Sequence, residues 1–61
     1  MKTNEMLRYL KKKGCYIERH GGNHDIWKNP KTQGEAQVPR HPSKEIGTGM
    51  AHDILKKLGL K

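Results

Sequence analysis

The chain has no Phe, one Trp, two Tyr and one Cys among its 61 residues, and only six acidic side chains. Each shortage excludes something. A single cysteine, Cys15, forms no internal disulfide, which suits a reducing cytoplasm and a fold that needs no covalent staple. Six scattered acids leave no close carboxylate pair for two-metal hydrolysis. No apolar run approaches the roughly 18 residues of a membrane span. The opening "MKTNEMLRYLKKK" carries charge throughout, so it is not expected to act as a secretion signal. With 31% apolar residues and one small domain's length, the core is thin. A domain of this size buries only about 60% of its unfolded surface.

What is abundant is positive charge. Thirteen Lys and Arg against six acids give a net charge of +7. A field of that size on so small a body favours a polyanionic partner. The excess is concentrated early. Lys2, Arg8, Lys11, Lys12 and Lys13 stand against Glu5 alone in the first fourteen residues.

Periodicity supplies the architecture. Residues 3–13 predict a helix, with Thr3 or Asn4 as the cap and Met6, Leu7 and Leu10 as the apolar stripe. The lysines fall in its last turn, where the helix dipole favours cations, and Gly14 is the expected left-handed stop. Residues 15–20 alternate, Cys15 and Ile17 inward and Tyr16, Glu18 and His20 outward. "GGN" is a turn. "HDIWK" predicts a second strand with Ile26 inward. "NPKTQG" is another turn, and residues 35–40 give a third strand with Ala36 and Val38 inward. Pro39 lacks a ladder donor, so this strand belongs at a sheet edge. Thr48 is positioned to cap a second helix over 49–58, striped by Met50, Ile54, Leu55 and Leu58 and ended by Gly59.

The expected fold is therefore α+β, in the order α-β-β-β-α. Two helices cover one face of a three-stranded antiparallel sheet. The open face should present Tyr16, Glu18, His20, Asp25, Trp27 and Gln37.

Among the candidates for chemistry, the Cys–His spacings match no zinc pattern, so neither a metal nor any other cofactor is expected. Cys15 points inward, where a thiol is usually inert. Of His20, His24, His41 and His52, the setting of His24 is distinctive. It follows two glycines, which permit close approach of backbone and ligand. It also begins a strand, which holds its backbone. An imidazole takes or gives a proton near neutral pH, and among Lys and Arg it can act on a phosphodiester. Alternation puts His24 on the side of Ile26, toward the core. An active His24 must then lie past the packed layer, or the strand must kink at the turn. The other three histidines serve as comparison positions.

Three segments, "KKKGCYIER", "GGNHDIWKNP" and "VPRHPSKEIGTGMAHDILKKLGL", resemble the HicA family of toxins in order and spacing. The second is similar to the family's Gly–Ser/Asn–His stretch, with Asn23 where many members have Ser. The third is similar to its Val-Pro-x-His, Gly-Thr and closing helix. The resemblance implies a fold like the double-stranded RNA-binding domain and cleavage of mRNA by a cytoplasmic ribonuclease. It implies inhibition by a HicB-like antitoxin, and a catalytic role for His24. Lys11, Lys12, Lys13, Lys28, Arg40 and Lys44 are the candidate RNA clamps. The alternative is a binding module that contacts RNA without cutting it. A third reading is an inactive relative that only titrates its antitoxin. The second helix begins "GTGMAHD", with only Lys44 nearby. It lacks the lysine cluster of RNA-binding domains of this fold, which favours cleavage over passive binding.

Overall fold

The computed structural model describes all of residues 1–61. Its elements are α1 (Thr3–Lys12), β1 (Tyr16–His20), β2 (His24–Lys28), β3 (Glu35–Pro39) and α2 (Thr48–Lys57). The strands form one antiparallel sheet in the order β1-β2-β3. Met6 and Leu10 of α1, Ile54 of α2 and Leu58 at its C-cap join Trp27, Ala36, Val38, Cys15 and Ile46 in a single core. Both helices thus cover the same sheet face. No helix is long and apolar enough to cross a membrane.

The expected order of elements holds, and so do the stops at Gly14 and Gly59, both at positive φ. The capping differs. Lys2 is the N-cap of α1 and its N–H donates to Glu5 Oε1 at 2.9 Å. Thr3 is fully buried instead. Its N–H and its hydroxyl both donate to the Lys44 carbonyl, at 2.9 and 3.0 Å. The Asn4 N–H donates to the Pro42 carbonyl at 3.1 Å. The orphan donors at the start of α1 therefore bind the loop between β3 and α2 rather than a capping side chain. Gly47, not Thr48, caps α2. The β2–β3 turn anchors the other end of α2: Asn29 Nδ2 and Thr32 Oγ1 both donate to the Leu58 carbonyl, at 2.7 and 3.0 Å. Met50, expected in the core stripe, is 42% exposed, and Ile46 from the loop takes a core place instead.

Two corrections concern the strands. In β2 the inward residues are Trp27, 1% exposed, and Asp25, 6% exposed. Ile26 lies half-buried on the other face. A period of two permits either phase, and a one-residue shift exchanges the faces. Burying the indole removes more apolar area from water than burying Ile26 would. The acid carried inward with it is tolerated because it is paired, as described below. In β1 the register slips between Ile17 and Arg19. Ile17 stands opposite Trp27, but after the bulge Arg19 stands opposite Ile26 and His20 opposite Asp25. Cross-strand partners share a face. The bulge therefore moves Arg19 to the open face and His20 to the Asp25 side, reversing the expected placement of His20. Tyr16, Glu18 and Gln37 remain exposed, as expected. Every residue of β1 is exposed, Ile17 included at 38%.

Candidate active site

The correction to β2 removes the obstacle to an accessible His24. Its partner side is indeed that of Ile26, but that side is the uncovered face. No kink is required. His24 opens β2 opposite Pro39 and is half-buried.

The turn that delivers it is tight. The Gly21 N–H donates to the His24 carbonyl at 2.8 Å. A Cβ at Gly21 would sit 2.7 Å from that same oxygen, closer than real Cβ contacts allow, so this position requires glycine.

Behind the turn lies an ionic cluster. His20 Nδ1 is 2.8 Å from Asp25 Oδ1. Arg40 Nε donates to the same oxygen at 3.0 Å, and Arg40 Nη2 donates to the Gly21 carbonyl at 2.5 Å. Asp25 is therefore a buried charge with two partners, as burial of a carboxylate demands. The hydrogen bond from His20, followed by the Arg40 contacts, holds its pKa below the ordinary carboxylate value, against the opposing effect of burial. The cluster ties the end of β1, the turn and the residue after β3 together immediately beside His24.

Two grooves meet at His24. One, of about 540 Å³, is lined by Asn23, His24, Arg40, His41 and Lys44 with flanking Gly and Pro. It contains no acidic and no large apolar side chain. The other, also about 540 Å³, is lined by Arg19, Ile26 and Gln37 of the strands and by Met50 and Lys57 of α2, with two acids, Glu35 and Asp53. A phosphate is favoured in the first, where every ionisable side chain is a cation or an imidazole.

The proposed clamps divide accordingly. Arg40 and Lys44 share the groove with His24. Lys28 stands at the far end of β2, four residues and roughly 13 Å away at about 3.3 Å per residue. Its ammonium lies 3.4 Å from Glu18 and 4.0 Å from Glu35. Lys11, Lys12 and Lys13 end α1, whose chain enters β1 at Tyr16, opposite Lys28. That run is thus at the Lys28 end of the sheet, with Lys13 Nζ 5.5 Å from the Tyr9 ring. Sequence reasoning missed Arg19, which only the bulge brings to the face of His24. It also passed over His41 as a groove residue. Burial pushes the Cys15 thiol up, consistent with an inert cysteine. The fold assembles no cluster of three or more His, Cys, Asp or Glu side chains able to hold a metal.

The model of the family described as "HicA toxin of bacterial toxin-antitoxin" matches residues 3–60. The chain belongs to the HicA toxin family. It is 40% identical to a "Probable mRNA interferase HicA 2" of Photorhabdus laumondii, over the whole of both chains. It is 37% identical to a "Probable mRNA interferase HicA" of Pseudomonas fluorescens, covering 100% of this chain and 98% of that one. Its fold is similar to a chain in the crystal structure of the E. coli HicAB toxin–antitoxin complex, with a TM-score of 0.83 and 33% identity. That match covers 98% of this chain and all of the other. The α-β-β-β-α arrangement is accordingly that of a HicA toxin, resembling the double-stranded RNA-binding domain.

Proposed function

We propose that this HicA-family toxin is an endoribonuclease that cleaves mRNA in the cytoplasm, with His24 as its proton-transfer residue, and that a HicB-like antitoxin blocks it. The observation that carries the reading is the composition of the groove: an accessible imidazole, two cations and no acid. A ribose 2′-oxygen can attack the adjacent phosphorus once its proton is removed, and His24 is placed to remove it. Arg40 and Lys44 meet the non-bridging oxygens and stabilise the charge that develops there. The cleavage so described uses imidazole and guanidinium chemistry and calls on no resident metal or cofactor. The relatives named mRNA interferases support the substrate class, and the toxin–antitoxin complex of similar fold supports the partner.

The test is cleavage of an RNA oligomer by the purified protein and by His24→Ala, with and without a chelator. Proton transfer typically contributes 10²–10⁴-fold in rate, so the variant should lose activity on that order. The chelator should have no effect. Because His24 stands on the uncovered face, its truncation should change stability by no more than about 0.5 kcal/mol. Wild-type cleavage by His24→Ala, or its unfolding, would overturn the assignment of His24, and no cleavage by the wild type would leave RNA binding without cleavage as the better account.

A further inference from the structure

We propose that His41 is the second proton-transfer residue of this site, the general acid opposite His24; this rests on the ribonuclease reading of His24. Three observations carry it. The first is position. His24 and His41 line the same acid-free groove. Pro39 is the cross-strand partner of His24, and His41 follows it by two. Arg40, between them, turns to the Asp25 side, and His41, just past the end of β3, faces the groove with His24. That groove, of about 540 Å³, has room for a phosphodiester.

The second observation is that the segment is held. The Lys44 N–H donates to the His41 carbonyl at 3.1 Å, closing a turn with Pro42 at its second position. The carbonyls of Pro42 and Lys44 in turn accept from the first residues of α1. An exposed imidazole is thus carried on a backbone anchored on both sides, the pre-organisation that proton transfer needs.

The third is the state of the ring. Ser43 Oγ lies 3.1 Å from His41 Nδ1. With the hydroxyl donating to Nδ1, the neutral ring carries its proton on Nε2, and the protonated ring still presents Nε2–H as a donor. His20 and His41 are both held by side chains, whereas His24 makes no such bond and its ring is free to accept. The two imidazoles are therefore suited to opposite roles.

The step balances as follows. His24 takes the proton of the 2′-hydroxyl while the 2′-oxygen forms a bond to phosphorus. The bond from phosphorus to the 5′-oxygen breaks, and His41 Nε2 gives its proton to that leaving oxygen. The products are a 2′,3′-cyclic phosphate and a 5′-hydroxyl end. Solvent restores both rings.

A leaving-group substitution separates the roles. Wild type, His24→Gln, His41→Gln and Ser43→Ala are assayed on an RNA oligomer. The same oligomer is then used with sulfur replacing the bridging 5′-oxygen at one site. Sulfur leaves without being protonated, so it relieves the need for an acid and not for a base. His41→Gln should be about 10²–10⁴-fold slow on the oxygen substrate and near wild type on the sulfur one. Ser43→Ala should show a smaller loss with the same rescue, and His24→Gln should be slow on both. Full activity of His41→Gln on oxygen overturns the proposal. So does slow cleavage of both substrates by His41→Gln in a protein with a wild-type denaturation midpoint. If His41→Gln fails to fold, Ser43→Ala decides by the presence or absence of sulfur rescue. Activity of His24→Gln on the oxygen substrate is the separate failure of the site itself.

Discussion

Arg40 and Asp25 form an ion pair at 3.0 Å, and the same guanidinium donates to the carbonyl of Gly21. One side chain thus neutralises the only acid on the inward side of β2 and fixes the turn that presents His24. Arg40 still remains about half exposed toward the groove. Its planar fork can reach two acceptors in fixed directions, which the single ammonium of a lysine cannot reproduce. Arg40→Lys should retain the charge and the fold, and lower the cleavage rate up to roughly 10²-fold through misplacement of His24 and the phosphate. A rate within twofold of wild type would show that charge alone suffices there.

Stability should depend on Asp25 at acid pH. Its folded pKa lies below the ordinary value of 3.8 because His20 and Arg40 favour the carboxylate. The stabilisation is therefore fully present above pH 3.8 and is lost as pH falls through the lower folded value. Glu45, lowered from 4.5 chiefly by the N-terminal ammonium, acts in the same direction. Urea midpoints of wild type and Asp25→Asn, measured between pH 6 and pH 2, should differ most at pH 6 and converge as the acid protonates. A gap that widens toward low pH would contradict the assignment.

The phase of β2 can be tested by stability alone. Trp27→Ala removes a fully buried indole and should cost about 3–5 kcal/mol, much of the stability of so small a domain. Ile26→Ser, on the open face, should cost well under half of that. Denaturant unfolding of the two variants checks this. Equal losses would mean that both faces are packed.

The lysine run and the groove should separate functionally. Charge reversal of Lys11, Lys12 and Lys13 together should weaken binding of a long RNA. It should also flatten the salt dependence by roughly 0.7 per lost phosphate contact on single strands. Because the run lies at the far end of the sheet, the rate on a dinucleotide should be unchanged. Lys44→Glu should slow both substrates. Loss of dinucleotide cleavage in the triple variant would bring the run into the site.

Association with a HicB-like antitoxin should slow as salt rises if a +7 chain draws an acidic partner surface by charge steering, which is screened over about 8 Å at physiological ionic strength. Stopped-flow association rates across a salt series give the answer. A salt-independent rate would exclude steering.

Much was legible in the residues themselves. The helical stripes, the glycine stops, the turn before His24, the edge position of Pro39 and the charge excess are all local, and local chemistry decides them. The α-β-β-β-α order follows from these, whereas the choice of His24 as the catalytic candidate rested on the resemblance to the HicA family. The inner face of β2 was not legible. In "HDIWK" Ile26 and Trp27 compete for the core, and a period of two is satisfied either way until a helix layer exists for the indole to fill. Nor was the bulge in β1. Nothing in "YIERH" marks it, yet it exchanges Arg19 and His20 between faces and gives Asp25 the partner that makes its burial tolerable. The division of the cations was likewise tertiary. Lys28 and Arg40 are equivalent in a list of charges. In the fold one is balanced by Glu18 and Glu35, and the other stands beside His24, because strand register, rather than sequence distance, decides which charges share a groove.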